Sequence, residues 1–355
     1  MRVGILTSGG DCQALNATMR GLALTLYRNV KDVEIIGFID GYKGLMYEKY
    51  RKMKPKDFYA ILNVGGSILG NSRCPFKRMR IIENGFDKVK AMKNTYKKLE
   101  LDCLVVLGGN GSIKSANMLS QEGLNVIALP KTIDNDAWGT DYTFGYSSAT
   151  AIATRYLDEI KTTAASHSRV FVIEVMGHKV GHICLSAGIA AGADVILLPE
   201  IPYDIKVVAK KVKETLKNEK NYAIIACAEG AISEADALMK RKDYKAKVLA
   251  RNGRSVAYEV ADELSQEIDA EIRVSCIGHA QRGGNPDSYD REISTRFGVE
   301  GARLIIKKHY GEYVVLQGNH VTHIPLEATA GKLKYVDTEG EIVQSAKLVG
   351  ISFGE

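Results

Sequence analysis

The sequence predicts an α/β protein built from two doubly wound domains with mainly parallel sheets. Short, continuous apolar runs alternate with helical patterns along the chain, and such runs are typical of parallel strands covered on both faces. The length of 355 residues corresponds to about two domains at roughly 100–200 residues each. The hydrophobic fraction of 45% and the charged fraction of 25% are ordinary for a globular protein, which excludes long low-complexity regions.

The first strand is predicted at residues 3–6 and is followed by a helix. Leu15, Met19, Leu22 and Leu26 lie at i, i+4, i+7 and i+11, which places them on one helix face. The remaining strands are predicted at residues 34–39, 103–107, 126–129, 170–175, 195–198, 222–226, 272–277 and 313–316. Helical patterns between these runs complete the alternation that indicates parallel sheets.

Composition excludes several classes of protein. Lys and Arg exceed Asp and Glu by 48 to 42, and this net charge of +6 is weak support for nucleic-acid binding but fits phosphorylated small molecules. The six cysteines form no C-x-x-C pair, which indicates reduced thiols and no zinc framework. No apolar run reaches the roughly 18 residues of a membrane span. The apolar start is too short for a signal peptide, so we expect a cytoplasmic protein with no nucleic-acid or membrane partner.

Three predicted strands end in unusual loops. Residues 7–11 (TSGGD), 108–112 (GGNGS) and 130–136 (PKTIDND) each follow an apolar run. The carboxyl ends of parallel strands form one rim where ligands bind, and glycines there let backbone N–H groups approach an anion. Two glycine loops on one rim indicate a polyphosphate. The sequence has no P-loop motif, and Lys114 interrupts the dinucleotide fingerprint, which disfavours a dehydrogenase.

The third loop carries the residues best suited to catalysis. Asp134 and Asp136 lie two positions apart, beside Thr132 and Lys131. One carboxylate can accept a proton from a substrate hydroxyl, and the other can help to hold a divalent cation. An isolated Asn-Asp turn is usually structural, but the position of this one at the rim of the sheet favours chemistry.

A second group of residues, also at predicted strand ends, has the chemistry of a sugar-phosphate site. Arginine forks and imidazole N–H groups suit a phosphate, and a carboxylate suits sugar hydroxyls. The group consists of Arg169 before strand 170–175, Met176, Gly177 and His178 after it, Glu229 after strand 222–226, Arg273 near the start of the next strand, and His279 and Arg282. Together these residues predict an anionic polyol as ligand.

These motifs, in this order, resemble the 6-phosphofructokinase family from Gly4 to about Gly318. They are LTSGGD at 6–11, GGNGS at 108–112, PKTIDND at 130–136, TDYTFG at 140–145, EVMG at 174–177, and GHAQRGG at 278–284 followed by YDR at 289–291. The segment TTAASH at 162–167 is similar to the branch that contains both ATP- and pyrophosphate-dependent bacterial members.

The resemblance implies phosphoryl transfer to the 1-hydroxyl of fructose 6-phosphate in glycolysis. It implies that Asp134 is the general base and that Thr132 orients the hydroxyl or the incoming phosphoryl group. The implied donor-binding residues are Gly10, Arg73, Gly108, Gly109, Asn110, Gly111 and Ser112. The implied sugar-phosphate residues are Thr132, Asp134, Met176, Gly177, His178, Glu229, His279 and Arg282, with Arg169 and Arg273 reaching the 6-phosphate from a neighbouring subunit.

The resemblance also implies an architecture, an assembly and a cofactor. Family members have two Rossmann-like domains, here a donor-binding domain of residues 1–145 plus about 281–330 and a fructose-6-phosphate-binding domain of residues 146–280 plus about 331–355. Arginines that reach a neighbouring site imply a homotetramer with shared active sites. Mg²⁺ is the implied cofactor, with Asn110 and Asp136 as protein ligands. Asn110 stands where many relatives have an aspartate, so it brings an amide oxygen without a charge.

Two positions bear on the phosphoryl donor, and they point in opposite directions. Gly111 leaves room for the α-phosphate of a nucleotide, whereas an aspartate there, as in pyrophosphate-using relatives, would fill the space and repel that charge. Lys131 is common in pyrophosphate enzymes. We expect ATP, because exclusion by a side chain is hard to circumvent. The alternatives are a pyrophosphate-dependent phosphofructokinase and, because Asn110 and His178 depart from the usual pattern, a non-catalytic sensor of sugar phosphate or nucleotide.

Overall fold

Two compact units make up the chain, each from two stretches of sequence. The computed structural model describes residues 1–218, 220–329 and 331–355. Unit 1 comprises Met1–Ser148 and Arg282–Lys334, and unit 2 comprises Ala149–Gln281 and Tyr335–Glu355. The domain boundaries expected from the sequence lie within a few residues of these limits, and the one at about 330 falls on a residue outside the described ranges. Which unit binds which substrate stays a prediction.

Strands and helices alternate along most of the described chain. The strands are β1 (Arg2–Ser8), β2 (Glu34–Phe38), β3 (Tyr50–Met53), β4 (Cys103–Gly108), β5 (Val126–Pro130), β6 (Val170–Val175), β7 (Val195–Leu197), β8 (Ala223–Ala228), β9 (Ile272–Cys276), β10 (Glu312–Gln317) and β11 (His320–Pro325). The helices are α1 (Leu15–Asn29), α2 (Tyr42–Met46), α3 (Lys88–Lys98), α4 (Asn110–Gln121), α5 (Tyr146–His167), α6 (His182–Ala190), α7 (Ile205–Asn218), α8 (Glu234–Ala237), α9 (Arg241–Ala250), α10 (Val256–Leu264), α11 (Ser288–Ile306) and α12 (Glu341–Leu348).

Unit 1 is built on a sheet whose seven strands, among the described residues, have the order β11-β10-β5-β4-β1-β2-β3. The inner strands run parallel, and the edge strands β3 and β11 run antiparallel to their neighbours. Every residue of β4 and β5 is buried, as expected for parallel strands covered on both faces. Because β5, β4 and β1 are adjacent and parallel, the loops that follow them leave the sheet at one edge.

Helices α1 and α11 pack closely within unit 1. A Cβ at Gly298 would lie 2.3 Å from the carbonyl oxygen of Thr18, and a Cβ at Gly21 would lie 2.6 Å from that of Thr295. The two glycines therefore allow an approach of the backbones that a side chain would prevent. This contact joins the beginning of the chain to the segment that returns to unit 1.

Unit 2 contains a parallel sheet whose four strands, in the part of the chain that is described, have the order β7-β8-β6-β9. All of β8 is buried, whereas β9 lies at an edge and stays partly exposed. The core on one side of this sheet combines strand residues such as Val172 and Ile225 with Val212 of α7 and Val260 of α10. Because β6 pairs in parallel with both β8 and β9, the carboxyl ends of these three strands lie at the same edge of the sheet.

The predicted α/β fold with mainly parallel sheets is confirmed, and each predicted strand overlaps an observed one. Strands β3 and β11 were missed because neither contains a continuous apolar run. Three of the four residues of β3 are exposed, and no residue of β11 is buried. Edge strands of this kind are commonly polar, since they have no neighbour on one side. Among the described residues, no helix is long and apolar enough to cross a membrane.

Candidate active site

The first predicted loop lies at the end of β1 in unit 1. The N–H of Gly9 donates to the carbonyl oxygen of Ser72 (3.1 Å), which places Arg73 beside this loop with its side chain exposed. Gly10 has little room for a side chain, because a Cβ there would lie 2.9 Å from Nη1 of Arg282. Gly10 and Arg73, both predicted to bind the donor, are thus brought to the same edge of the sheet.

The second predicted loop forms the first turn of α4, which begins at Asn110. Gly109 precedes it in an extended conformation, and no side chain among the described residues caps the helix. A Cβ at Gly108 would lie 2.3 Å from Cβ of Ser112, so this position requires glycine, whereas a Cβ at Gly111 would meet nothing within 4 Å in the part of the chain that the structure describes. The first N–H groups of a helix have no partner within the helix and carry partial positive charge, so this turn suits a phosphate.

The third predicted loop folds back on itself. The N–H of Asp134 donates to Oγ1 of Thr132 (3.0 Å), and the Thr132 carbonyl oxygen accepts from Oγ1 of Thr143 (2.7 Å). Asn135 has a left-handed backbone, with φ of 54°, and its Oδ1 accepts from the N–H of Thr143 (3.1 Å). A Cβ added to Gly109 would lie 3.8 Å from Cβ of Thr132. The turn with the half-buried Asp134 therefore lies next to the first turn of α4.

Two cations lie against the first loop. Lys131 is buried and its Nζ donates to the carbonyl oxygen of Gly10, while Nη1 of Arg282 donates to that of Asp11 (2.9 Å). Burial lowers the pKa of Lys131, and the guanidinium of Arg282 lowers it further. Arg282, for which the sequence predicts a sugar-phosphate contact, belongs to unit 1 and contacts the first loop in this structure. Its contact with the sugar phosphate stays a prediction.

Asp290 anchors the segment that leads from the third loop into α5, a function that sequence reasoning missed. Its carboxylate is fully buried and accepts from the N–H of Gly145 (2.9 Å), the hydroxyl of Tyr142 (2.7 Å) and the N–H of Ser148 (2.9 Å). Burial raises the pKa of this carboxyl group. The YDR motif at 289–291 marked the residue, but no sequence pattern indicates partners more than 140 positions away.

In unit 2, Glu229 organises the loop that follows β6. Its Oε1 accepts from the N–H of Gly177 (3.3 Å) and from that of His178, which has a left-handed backbone with φ of 56°. The N–H of Met176 donates to Oε1 of Gln281 (2.8 Å). The predicted residues Met176, Gly177, His178 and Glu229 are therefore brought together at the carboxyl ends of β6 and β8.

The arginines of the predicted sugar-phosphate group do not join this cluster. Arg169 directly precedes β6, and Arg273 is the second residue of β9, so both lie at the amino ends of the strands. Glu271 connects them, because its carboxylate accepts from Nε of Arg169 (2.7 Å) and from Nη2 of Arg273. The six residues of β6 span about 20 Å at roughly 3.3 Å per residue, which separates the arginines from Met176.

His279 is exposed and lies in a 3₁₀ helix, Gly278–Arg282, that follows β9. It therefore comes after the carboxyl end of a strand that is parallel to β6. This position is at the same edge of the unit 2 sheet as Glu229 and opposite to the two arginines.

Comparisons with known proteins agree with this arrangement of motifs. The family model described as phosphofructokinase matches residues 2–305. An ATP-dependent 6-phosphofructokinase of Spirochaeta thermophila is 47% identical over 99% of this chain and 97% of its own length. The chain belongs to the phosphofructokinase family. An ATP-dependent 6-phosphofructokinase 3 of Bacteroides thetaiotaomicron is 42% identical over the full length of both chains.

Solved structures show the same fold. A phosphofructokinase of Pichia pastoris superposes with a TM-score of 0.80 at 28% identity over 93% of this chain. The chain spans only 35% of the length of that protein. A pyrophosphate-dependent phosphofructokinase of Nitrosospira multiformis has a TM-score of 0.81 at 20% identity, over 96% of this chain and 87% of its own, and bears on the fold alone.

Proposed function

We propose that the protein transfers the terminal phosphoryl group of ATP to the 1-hydroxyl of fructose 6-phosphate, which gives fructose 1,6-bisphosphate in glycolysis. The observation that carries this proposal is the Thr132–Asp134 turn next to the first turn of α4. It fixes a hydroxyl and a carboxylate beside a helix terminus suited to phosphate. The names of the relatives, ATP-dependent 6-phosphofructokinases at 47% and 42% identity, support the same reaction.

In this proposal, the residues of unit 1 bind the donor and perform the proton transfer. The donor phosphates are held by Gly10, Arg73 and the turn made of Gly108, Gly109, Asn110, Gly111 and Ser112. Asp134 accepts the proton of the 1-hydroxyl as the hydroxyl oxygen attacks the terminal phosphorus and ADP leaves. Thr132 donates a hydrogen bond to the transferred group. Positioning of the reacting groups, together with electrostatic stabilisation, accounts for almost all of the rate enhancement in enzymatic phosphoryl transfer.

The residues of unit 2 bind the sugar phosphate. The loop after β6 presents Met176, Gly177 and His178, and the carboxylate of Glu229 holds this loop through its N–H groups. A carboxylate and an imidazole are suited to sugar hydroxyls and to phosphate. His279 is exposed at the same edge of the sheet and adds a second imidazole.

Mg²⁺ is the cofactor that we propose, with Asn110 and Asp136 as its protein ligands. Nδ2 of Asn110 donates to the carbonyl oxygen of Lys332 (2.9 Å), which leaves the amide oxygen to face a cation. The described residues contain no cluster of three or more Asp, Glu, His or Cys side chains that could hold a metal. That fits Mg²⁺, which is bound by one or two protein oxygens together with substrate phosphates. When bound, the ion neutralises charge on the donor phosphates.

The open space at Gly111 supports ATP as the donor. A Cβ at this position would meet no atom of the described residues within 4 Å, which leaves room for an α-phosphate at the first turn of α4. Lys131 does not oppose this assignment, because its Nζ is engaged with the carbonyl oxygen of Gly10 within the protein.

We further propose a homotetramer with shared sites, in which Arg169 and Arg273 bind the 6-phosphate of the fructose 6-phosphate molecule held by a neighbouring subunit. The support is their position at the amino ends of β6 and β9, opposite to Met176 and Glu229. Two arginines held by one glutamate form a ready phosphate site once that carboxylate yields to the ligand. The proposed substrates, ATP and fructose 6-phosphate, also support a cytoplasmic location.

The test is turnover by the purified protein, with the product cleaved by aldolase in a coupled assay. ATP and pyrophosphate are compared at matched free Mg²⁺. We expect turnover with fructose 6-phosphate and a higher kcat/KM for ATP. Absence of turnover with either donor would contradict the reaction and favour a non-catalytic sensor, and a higher kcat/KM for pyrophosphate would contradict the choice of donor alone.

A further inference from the structure

The last residues of unit 1, 332–334, contact both the third loop and the first turn of α4, and we call them the strap. The first turn of α4 is called the phosphate-binding turn below, after its role in the proposed function. Nδ2 of Asn110 donates to the carbonyl oxygen of Lys332 (2.9 Å). The next residue, Leu333, forms an antiparallel bridge with Ala137. One short segment therefore joins the first turn of α4 to the residues that follow Asp134.

Lys334 adds three hydrogen bonds to this link. Its N–H donates to the carbonyl oxygen of Asp136 (2.9 Å), and its Nζ donates to the carbonyl oxygens of Thr140 and Asp141, both at 2.9 Å. The side chain is partly buried, so these two carbonyl groups replace water around the ammonium. Hydrogen bonds from a charged donor are stronger than neutral ones, and here they fix the loop beyond Asp136.

The strap acts on a stretch of the loop that lies between two other attachments. At one side, the turn that contains Asp134 is closed by the hydrogen bond from the Asp134 N–H to Oγ1 of Thr132 and by the bond from Oγ1 of Thr143 to the carbonyl oxygen of Thr132. At the other, the N–H of Asp141 donates to the carbonyl oxygen of Leu316 in β10 (2.8 Å). The strap contacts the backbone between them and so limits how far the turn can shift relative to α4.

We propose that the strap sets the distance between the Asp134 carboxylate and the phosphate-binding turn of α4, with Lys334 as the positioning residue. This inference rests on the proposed phosphoryl transfer. The base and the donor site belong to different loops, and a link between those loops fixes the geometry of transfer. A misplacement of about 1 Å lowers the rate of an enzyme by about 10²-fold, so loss of the link should be visible in kcat.

The test removes the ammonium with Lys334→Met, which keeps most of the aliphatic stem. We expect kcat to fall by about 10- to 100-fold while the KM for fructose 6-phosphate changes by less than about 2-fold. A second readout is independent of activity. Trp138, the one tryptophan in the sequence, lies in the strapped loop, is 39% exposed and has Nζ of Lys332 4.1 Å from its ring centre. Acrylamide quenching of its fluorescence should increase in the variant.

The matched control is Lys307→Met, which removes a positive charge from an exposed position of unit 1 and should leave both readouts unchanged. Circular dichroism verifies folding, and if Lys334→Met does not fold, Lys334→Gln takes its place with the same readouts. A Lys334 variant with the kcat and quenching of the wild type would overturn the strap and leave the reaction intact. A wild type without turnover would overturn the reaction, while the quenching comparison would still decide whether the strap holds the loop.

Discussion

The glycines near α4 show, at the scale of single residues, how the demands of the fold differ from those of a ligand. Gly108 is required by the protein itself, because a Cβ would lie 2.3 Å from Cβ of Ser112. A Cβ at Gly111 would meet nothing within 4 Å among the described residues, so no contact of that part of the chain requires glycine there. Since this position lies in the predicted donor turn, we infer that a ligand sets the choice of residue.

Gly111→Asp should therefore lower the kcat/KM for ATP strongly without harming the fold. An acidic residue in the first turn of a helix is compatible with the helix dipole, so α4 should remain stable. Repulsion between the new carboxylate and an α-phosphate about 6–8 Å away is worth about 2–3 kcal/mol at an effective dielectric constant of about 20, or roughly 100-fold in kcat/KM for ATP. Steady-state kinetics measures it, with Gly111→Asn as the control of similar size and no charge. Equal kcat/KM values in the two variants would show that charge does not select the donor.

Asp134→Asn should remove the general base while keeping the shape of the turn, because the bond from the Asp134 N–H to Thr132 involves only the backbone of Asp134. General base catalysis contributes roughly 10²–10⁴-fold, so kcat should fall by that range with little change in the KM for fructose 6-phosphate. Asp32→Asn, on an exposed residue of unit 1, is the control. More than about a tenth of the wild-type kcat in the Asp134 variant would be too much for a lost base.

The sequence revealed which loops matter but not which side chains support them. Strand-end glycines and paired aspartates follow from local rules, so Gly108, Asp134 and Glu229 could be singled out. The contacts of Lys131 with Gly10 and of Arg282 with Asp11 join residues 121 and 271 positions apart, respectively. No periodicity or motif spacing predicts a contact between residues so far apart in the sequence, because such contacts depend on the order in which the strands of the unit 1 sheet lie side by side.

At the scale of elements, the inner strands were predictable and the edge strands were not. An inner parallel strand such as β4 is buried along its whole length, so its sequence is a continuous apolar run. β3 and β11 pair with one neighbour each, and of their ten residues only Met53 is buried, so their sequences carry an arginine, a lysine, two histidines and a threonine. The same difference explains why β9, an edge strand of unit 2, carries an exposed Arg273.

Glu200 links elements of unit 2 and should make the stability depend on pH. Its Oε1 accepts from the N–H groups of Gly181, before α6, and of Val336, both at 3.0 Å, and burial raises its pKa. A raised pKa in the folded state means that the contribution of this carboxyl group is fully present below its unfolded pKa of about 4.3 and is lost as the pH rises through the folded value. Wild type should therefore lose stability relative to Glu200→Gln between pH 4.5 and 7.

Urea unfolding of both proteins at the two pH values measures this difference. Glu339→Gln, on an exposed residue of the same unit, is the control for the loss of one negative charge. A gap between wild type and Glu200→Gln that is the same at both pH values would show that burial does not raise the pKa of Glu200.

At the scale of the whole molecule, the position of the arginines sets the expected assembly. Arg169 and Arg273 lie at the edge of the unit 2 sheet opposite to Glu229, so one chain does not gather the full sugar-phosphate group at one edge. Sequence reasoning placed the two arginines in the same group as Glu229, because all of them flank predicted strands. It did not distinguish the two ends of a strand, which are about 20 Å apart for six residues. A second subunit is the direct way to complete the group.

Hybrid tetramers should test this arrangement. Arg169→Ala and Asp134→Asn are each expected to be inactive, but in an equal mixture about a quarter of the sites would combine an intact Asp134 with an intact arginine from the neighbour. Activity is measured after the two variants have been refolded together, and native mass spectrometry verifies the hybrids. A mixture of Arg169→Ala with Arg273→Ala should stay inactive, since both changes affect the same contributed group. Verified hybrids without activity would count against shared sites.

The return of the chain from unit 2 to unit 1 also has a consequence for synthesis on the ribosome. Strand β10 pairs with β5 and with β11, and α11 packs on α1, so unit 1 cannot complete its sheet until residues up to Pro325 have been made. At about 5–20 residues per second, the wait after Ser148 is on the order of ten to thirty seconds. During that interval β5 is paired with β4 on one side only, because β10 has not yet been made, while the sheet strands of unit 2, all within Ala149–Gln281, are being synthesised. We therefore expect the unfinished sheet of unit 1, which is made first, to be the part of the nascent chain most prone to aggregation.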